Sequence, residues 1–154
     1  MTDPHAAATG PVLAFDVGRK RIGVAIGQRT TGNARPLATV AAGGGAFDWP
    51  ALDALVAEWH PDCFVIGLPL ALDGSEQEMT RFARAFGRRL AERYARAVHE
   101  VDERYTSQEA SRRFAAHRAQ GSAKRKHAAE IDALAAQVIL EAWLCTPSDT
   151  TGLP

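Results

Sequence analysis

The sequence predicts an α/β domain built on a mixed five-stranded sheet, its first three strands antiparallel and the rest parallel, flanked by helices. Three observations carry this. Residues 12 to 17 and 21 to 27 are short apolar runs separated only by Gly18-Arg19-Lys20, the spacing of a tight hairpin. Cys63-Phe64-Val65-Ile66-Gly67 is apolar throughout, as a strand covered on both faces is. From residue 49 onward, helical and strand-like periods alternate, the pattern of strand–helix–strand units.

Strands are predicted at residues 12 to 17, 21 to 27 and about 36 to 41, bounded by Gly, Pro or Asn. A helix from Trp49 to Trp59 follows, with Leu52, Leu55, Val56 and Trp59 on one face, and Pro61 ends it. After the fourth strand, residues 68 to 74 form a loop. Ser75 and Glu78 read as a capping box that opens a second helix, whose stripe of Met79, Phe82, Phe86, Leu90 and Tyr94 is core. Residues 97 to 102 make the fifth strand, and Thr106 with Glu109 starts another helix toward His117. Residues 118 to 127 read as a mobile basic loop before a last helix at about 128 to 144. The expected organisation is a disordered tail at 1 to 10, one domain at 11 to 145 and a flexible tail at 146 to 154.

Bulk properties exclude several classes. The chain of 154 residues is 46% apolar and 23% charged, ordinary for a globular protein. No apolar stretch approaches the roughly 18 residues of a membrane span, and the first ten residues show no secretory signal. Cys63 and Cys145 form no CxxC pattern, so a reduced, cytoplasmic setting is expected, with Cys63 in the core. The five His residues have no metal-ligand spacing. Net charge is zero but segregated: residues 81 to 126 hold 13 Lys or Arg against 5 Asp or Glu, while residues 46 to 80 hold no Lys or Arg. Such segregation can attract phosphates to one face. For the helix at 81 to 96, solvated arginines are the simpler expectation.

Three acids stand out. Asp16 lies inside an apolar strand, where an ionised carboxylate is costly unless a cation or several donors compensate it. At 100° per residue, Glu130, Gln137 and Glu141 share the natural solvent stripe of the last helix, which turns Asp132 inward beside Ala135, Ala136, Ile139 and Trp143. The competing reading is that Asp132 sits in the first turn and bonds free backbone N–H groups. The third acid is Glu103 or Asp102, which point opposite ways, and either could pair with Arg104. Sites in α/β sheets lie at carboxyl ends of strands, where Asp16 and Glu103 stand. Three oxygen ligands without His or Cys suit Mg²⁺ or Mn²⁺, and two such ions about 3.5–4 Å apart can drive phosphodiester hydrolysis.

These residues resemble a known family. The run Asp16-Val17-Gly18-Arg19-Lys20-Arg21-Ile22-Gly23-Val24-Ala25 is similar to the opening motif of the YqgF family, also called RuvX. Gly67-Leu68-Pro69 with Asp73-Gly74, then Asp102-Glu103-Arg104-Tyr105-Thr106, then Asp132-Ala133-Leu134-Ala135-Ala136, resemble its later motifs in order. The resemblance spans residues 12 to 144. It implies a ribonuclease H-like fold, relation to the Holliday junction resolvase RuvC, and a divalent-metal nuclease maturing the 5′ end of the 16S rRNA precursor in ribosome biogenesis. By position, the family's catalytic and metal-holding acids fall on Asp16, Glu103 and Asp132, which decides for Glu103 over Asp102. Relatives usually carry an acid where this chain has Gly27-Gln28, and a second Thr where it has Ser107.

Lys20, Arg21, Arg104, Lys124, Arg125 and Lys126 are close in sequence to these acids and are assigned to substrate phosphates, although a solubilising loop also explains the last three. No aromatic interleaving suggests base stacking, so recognition is expected to rest on backbone and shape. The expected partner is RNA, with branched DNA second, and the chain is expected as a monomer or weak homodimer away from membranes. Two alternatives compete: a Holliday junction resolvase acting on branched DNA, and a non-catalytic RNA-binding ribosome-assembly factor on the same fold.

Overall fold

The structure is a computed structural model that describes residues 10–43, 46–104 and 124–145, with the backbone alone of 124–130. Its strands are β1 (Pro11–Val17), β2 (Arg21–Gln28), β3 (Asn33–Gly43), β4 (Ala46–Phe47), β5 (Cys63–Leu68) and β6 (Ala97–Asp102), and its helices are α1 (Trp49–Trp59), α2 (Glu78–Tyr94) and α3 (Lys124–Leu144). The sheet order is β4-β3-β2-β1-β5-β6. The first four strands pair antiparallel, whereas β5 lies parallel to both β1 and β6.

The sheet therefore has six strands rather than five. The addition, β4, is a two-residue ladder of Ala42 with Phe47 and Gly43 with Ala46, too short to leave a period in sequence. β3 is also longer than residues 36 to 41, because Pro36 lies inside it opposite Ala25, where the register shifts. A bulge is where a strand tolerates a residue that cannot donate.

The tight turn after β1 is closed by Gly18 N–H donating to the Arg21 carbonyl at 3.0 Å. α1 begins as expected, with the Asp48 side chain accepting from Ala51 N–H at 3.2 Å. It ends on His60 in the left-handed region at φ 48°. α2 starts later than the expected Ser75 box. Ser75 N–H instead donates to the Asp73 carboxylate at 2.9 Å, and Thr80 Oγ1 accepts from Gln77 N–H at 3.0 Å.

Alternation along each strand divides the core. Leu13, Phe15, Val17, Ile22, Val24, Ile26, Phe64 and Ile66 join Leu52, Val56, Phe86 and Leu90, so α1 and α2 cover this face. Val12, Ala14, Ala25, Cys63 and Val65 face Ala136, Ile139, Leu140 and Trp143 of α3. Phe86 is the centre of the first layer, its ring edge-on to Phe15 at 5.5 Å and stacked on Trp49 at 5.9 Å.

α3 crosses β1, β2, β3 and β5. It departs from expectation twice. It begins at Lys124, so residues 124 to 127 are helical rather than loop. Gln137 is not on a free solvent stripe: its amide donates to the Ala34 carbonyl at 3.0 Å and to Glu141 at 3.2 Å. The helix lies so flat across the small side chains of β2 that even its polar flank meets β3. The tail at 1 to 9, the helix expected from Thr106, residues 118 to 123 and the tail at 146 to 154 lie outside the described residues. No described helix is long and apolar enough to cross a membrane.

Phe86→Ala should cost about 3–5 kcal/mol in urea unfolding, since it empties the point where β1, β4, α1 and α2 meet.

A candidate acidic site at the carboxyl end of the sheet

Asp16 is placed by parity. Val12 and Ala14 face α3, so the next alternate position on β1 faces it too. The same count picks the acid after β6. Val98 packs in the layer under α2, whereas His99 stacks on Trp143 of α3 at 5.1 Å. Val101 packs with that second layer, so Glu103 follows onto the α3 side. Asp102 is left for Arg104, whose backbone N–H and Nε donate to it at 2.9 and 2.8 Å.

What brings the partners to Asp16 is the absence of two side chains. Gly23 is the cross-strand partner of Asp16 in the β1–β2 ladder. A Cβ at Gly23 would overlap the carbonyl oxygen of Asp132, so α3 rests its backbone directly on the sheet there. On the other flank, a Cβ at Gly67 of β5 would meet Glu103 Cγ and Cδ at 2.7 Å and Ile139 at 2.5 Å. Glu103 thus lies over Gly67 and reaches Asp16, with which it shares a hydrogen bond. In sequence Gly67 reads as turn chemistry; in the fold its role is close approach.

Asp132 is more than two turns into α3, which removes the reading of it as a first-turn cap. Its carboxylate accepts from Arg21 Nε at 2.6 Å. Burial raises the Asp16 carboxyl above its ordinary range; the bond to Glu103 pulls it partly back, and the Asp132 charge adds to the rise. Burial, followed by the charge of Asp16, pushes Glu103 up to about 9. At neutral pH a proton therefore sits between Asp16 and Glu103, and Arg21 neutralises Asp132.

The structure brings Asp16, Glu103, Asp132 and Arg21 together. In this arrangement, no group of three His, Cys, Asp or Glu among the described residues forms a ready metal cage. The donor set still suits a hard divalent cation. The acids are oxygen-only and partly open to solvent, and the proton that Asp16 and Glu103 share is one that an added positive charge would expel. Lys20 is exposed in the turn beside the site. Arg104 is engaged by Asp102 and by the Leu72 carbonyl at 3.3 Å, and its guanidinium lies 3.2 Å from where a Gly74 Cβ would be. It therefore holds the loop bordering the site. Lys124, Arg125 and Lys126 form the first turn of α3.

Comparison with known proteins gives a consistent result. A family model described as RuvX, Holliday junction resolvase, matches residues 10–146. A protein of Xanthomonas euvesicatoria pv. vesicatoria named "Putative pre-16S rRNA nuclease" is 47% identical over 154 residues, covering 98% of this chain and 99% of its own. A Xanthomonas oryzae pv. oryzae protein of the same name is 48% identical over the same shares. Among solved structures, T. thermophilus RuvC in complex with Holliday junction substrate matches with a TM-score of 0.50 at 14% identity, covering 89% of this chain and 97% of that one. That likeness concerns the fold, which is ribonuclease H-like.

Gly23→Ala should lift α3 from β2 and cost about 1–3 kcal/mol by overpacking, read by thermal unfolding. Glu103 has a folded pKa of about 9 against an ordinary 4.5. Its contribution to stability is therefore full below 4.5 and is lost as pH rises through 9. Glu103→Gln, which cannot ionise, should raise the melting temperature at pH 8 in chelator and leave it unchanged at pH 4. Equal shifts at both pH values would contradict the crowded-acid assignment.

Proposed function

The chain belongs to the RuvX family, and from that membership we propose that it is a divalent-metal-dependent nuclease that hydrolyses phosphodiester bonds in structured nucleic acid. The substrate we assign is the 16S rRNA precursor, the molecule for which the Xanthomonas relatives are named. The observation that carries the reading is the gathering of Asp16, Glu103 and Asp132 from β1, the end of β6 and α3.

Asp16, Glu103 and Asp132 would hold one or two Mg²⁺ or Mn²⁺ ions, which supply an attacking water at neutral pH and neutralise charge on the scissile phosphate. The chain's own residues prepare for this. Asp16 and Glu103 would give up their shared proton to such an ion, so its affinity would rise with pH. Arg21, which now bonds Asp132, would be the guanidinium available to a substrate phosphate oxygen once an ion took its place there. Arg104 keeps Asp102 out of the site and fixes the Leu72–Gly74 loop.

Lys124, Arg125 and Lys126 place positive charge at the N-terminus of α3, where the helix dipole disfavours it by about 0.3–1 kcal/mol each. Phosphate binding offsets that cost. The compartment that fits the substrate is the cytoplasm, and the chain acts as a monomer or weak homodimer. Branched DNA is the competing substrate, because the family description names a Holliday junction resolvase.

Purified protein with Mg²⁺ or Mn²⁺ should cut a 16S precursor transcript, and Asp16→Asn should lower the rate by about 10²–10³-fold while circular dichroism stays unchanged. Cutting of a four-way DNA junction but not the transcript would reassign the substrate. Equal cutting by wild type and variant would remove the activity altogether. Replacing Lys124, Arg125 and Lys126 by Gln should flatten the salt dependence of RNA binding by about 0.7–0.9 in log–log slope for each phosphate that is no longer neutralised.

A further inference from the structure

Away from the acids, the opposite face of the sheet carries a groove that the nuclease reading does not use. Its floor joins three elements distant in sequence. Phe47 of the edge strand β4 packs its ring 5.6 Å from Phe82 and 4.8 Å from Phe86 of α2, and 5.9 Å from Trp49 at the start of α1. Phe47, Phe82 and Trp49 are only partly buried, and each lines the groove. Two adjoining hollows of about 350 and 330 Å³ open over them, lined by Phe47, Phe82, Arg88, Arg89, Glu92 and Arg93.

The rim is cationic. Arg93 lies over Trp49 at 5.0 Å and is held by Asp53 at 2.7 Å, which fixes it as part of the wall. Arg88 and Arg89 are exposed, and among the described residues no carboxylate pairs with either. Arg81, two turns earlier on the same helix face, continues the stripe by about 10 Å. It leads to the α2 N-terminus, where Glu78 pairs with Arg19 of the β1–β2 turn. The stripe therefore runs from the groove back to the turn beside Asp16. Glu92 is the single acid lining the two hollows.

We propose that this groove binds a single-stranded segment of nucleic acid, with bases against Phe47 and Phe82 and phosphates on Arg81, Arg88 and Arg89. Partly exposed aromatic rings beside guanidinium groups that no described carboxylate pairs are the chemistry of single-strand platforms, which stack bases without reading sequence. The aromatic–cationic interleaving is invisible along the chain, since Phe47 and Trp49 are more than thirty residues from Phe82 and Arg88. It arises only because β4 folds its two residues over α2. The inference extends the nuclease reading, in that the groove would hold the strand flanking the one cut at Asp16. It does not depend on cleavage.

The test measures binding of a short fluorescein-labelled single-stranded RNA in chelator, across a salt series, with Trp fluorescence as a second readout. The Arg88→Gln/Arg89→Gln variant should bind more weakly and lose about 0.7 of log–log salt slope per arginine. Phe82→Leu, which keeps the floor apolar, should weaken binding several-fold with the slope intact, and Trp quenching by the RNA should fall in both. Affinity and slope unchanged in the arginine variant would overturn the proposal. Retained RNA binding with lost binding of a Glu-rich peptide would overturn it in favour of a polypeptide partner. If the arginine variant behaves as expected while the wild type cuts neither transcript nor junction, the groove stands and the nuclease reading falls.

Discussion

Everything at the acidic site depends on Asp16 being flanked by two residues without side chains. Gly23 lies across the ladder on β2 and Gly67 at the end of β5. One lets the α3 backbone settle on the sheet and deliver Asp132; the other leaves a trough through which Glu103 reaches inward. Any side chain at either position would separate carboxylates that have no other reason to be adjacent. The supporting layers keep this geometry rigid: fully buried Phe15 and Ile66 lie below, and Ala136, Ile139 and Leu140 of α3 above.

Gathering acids in a partly dry place has an electrostatic cost, and the protein meets it with its own cations and protons. Arg21 covers Asp132, and Asp16 and Glu103 share a proton because burial and mutual repulsion hold Glu103 at about 9. Such a site is poised rather than relaxed. On the reading proposed above, a divalent ion would take the place of both the proton and the guanidinium, and Arg21 would then be free to meet a substrate phosphate. This links the buried charges, a stability handicap, to chemistry.

Much of the fold was legible because its cues are local. The hairpin around Gly18-Arg19-Lys20, α1 from Trp49 to Trp59 and the apolar β5 follow from period and turn residues, and each is found in place. β4 leaves no cue because two residues carry no period, and in sequence Pro36 reads as a boundary of β3 rather than a bulge within it. Asp16 and the inward turn of Asp132 could be read as acids in apolar patterns. Period alone leaves Glu103 and Asp102 open; the family resemblance chooses Glu103, and the physical reason is that His99 and Val101 face α3. The glycines were the deeper omission. Gly23-Ala25-Gly27 alternates small residues on one strand face, a groove for a helix, and that signal was present in the sequence. Long-range pairing hid the rest, including the aromatic floor under Arg88 and Arg89.

The central claim is that Asp16, Glu103 and Asp132 form one cation site once Arg21 and the shared proton yield. Anomalous diffraction from crystals soaked in Mn²⁺ at pH 8 tests it most directly. The account predicts a manganese peak with carboxylate oxygens of all three acids about 2 Å away, and Arg21 swung off Asp132. Manganese bound elsewhere, with Arg21 still on Asp132 and Glu103 still on Asp16, would contradict it.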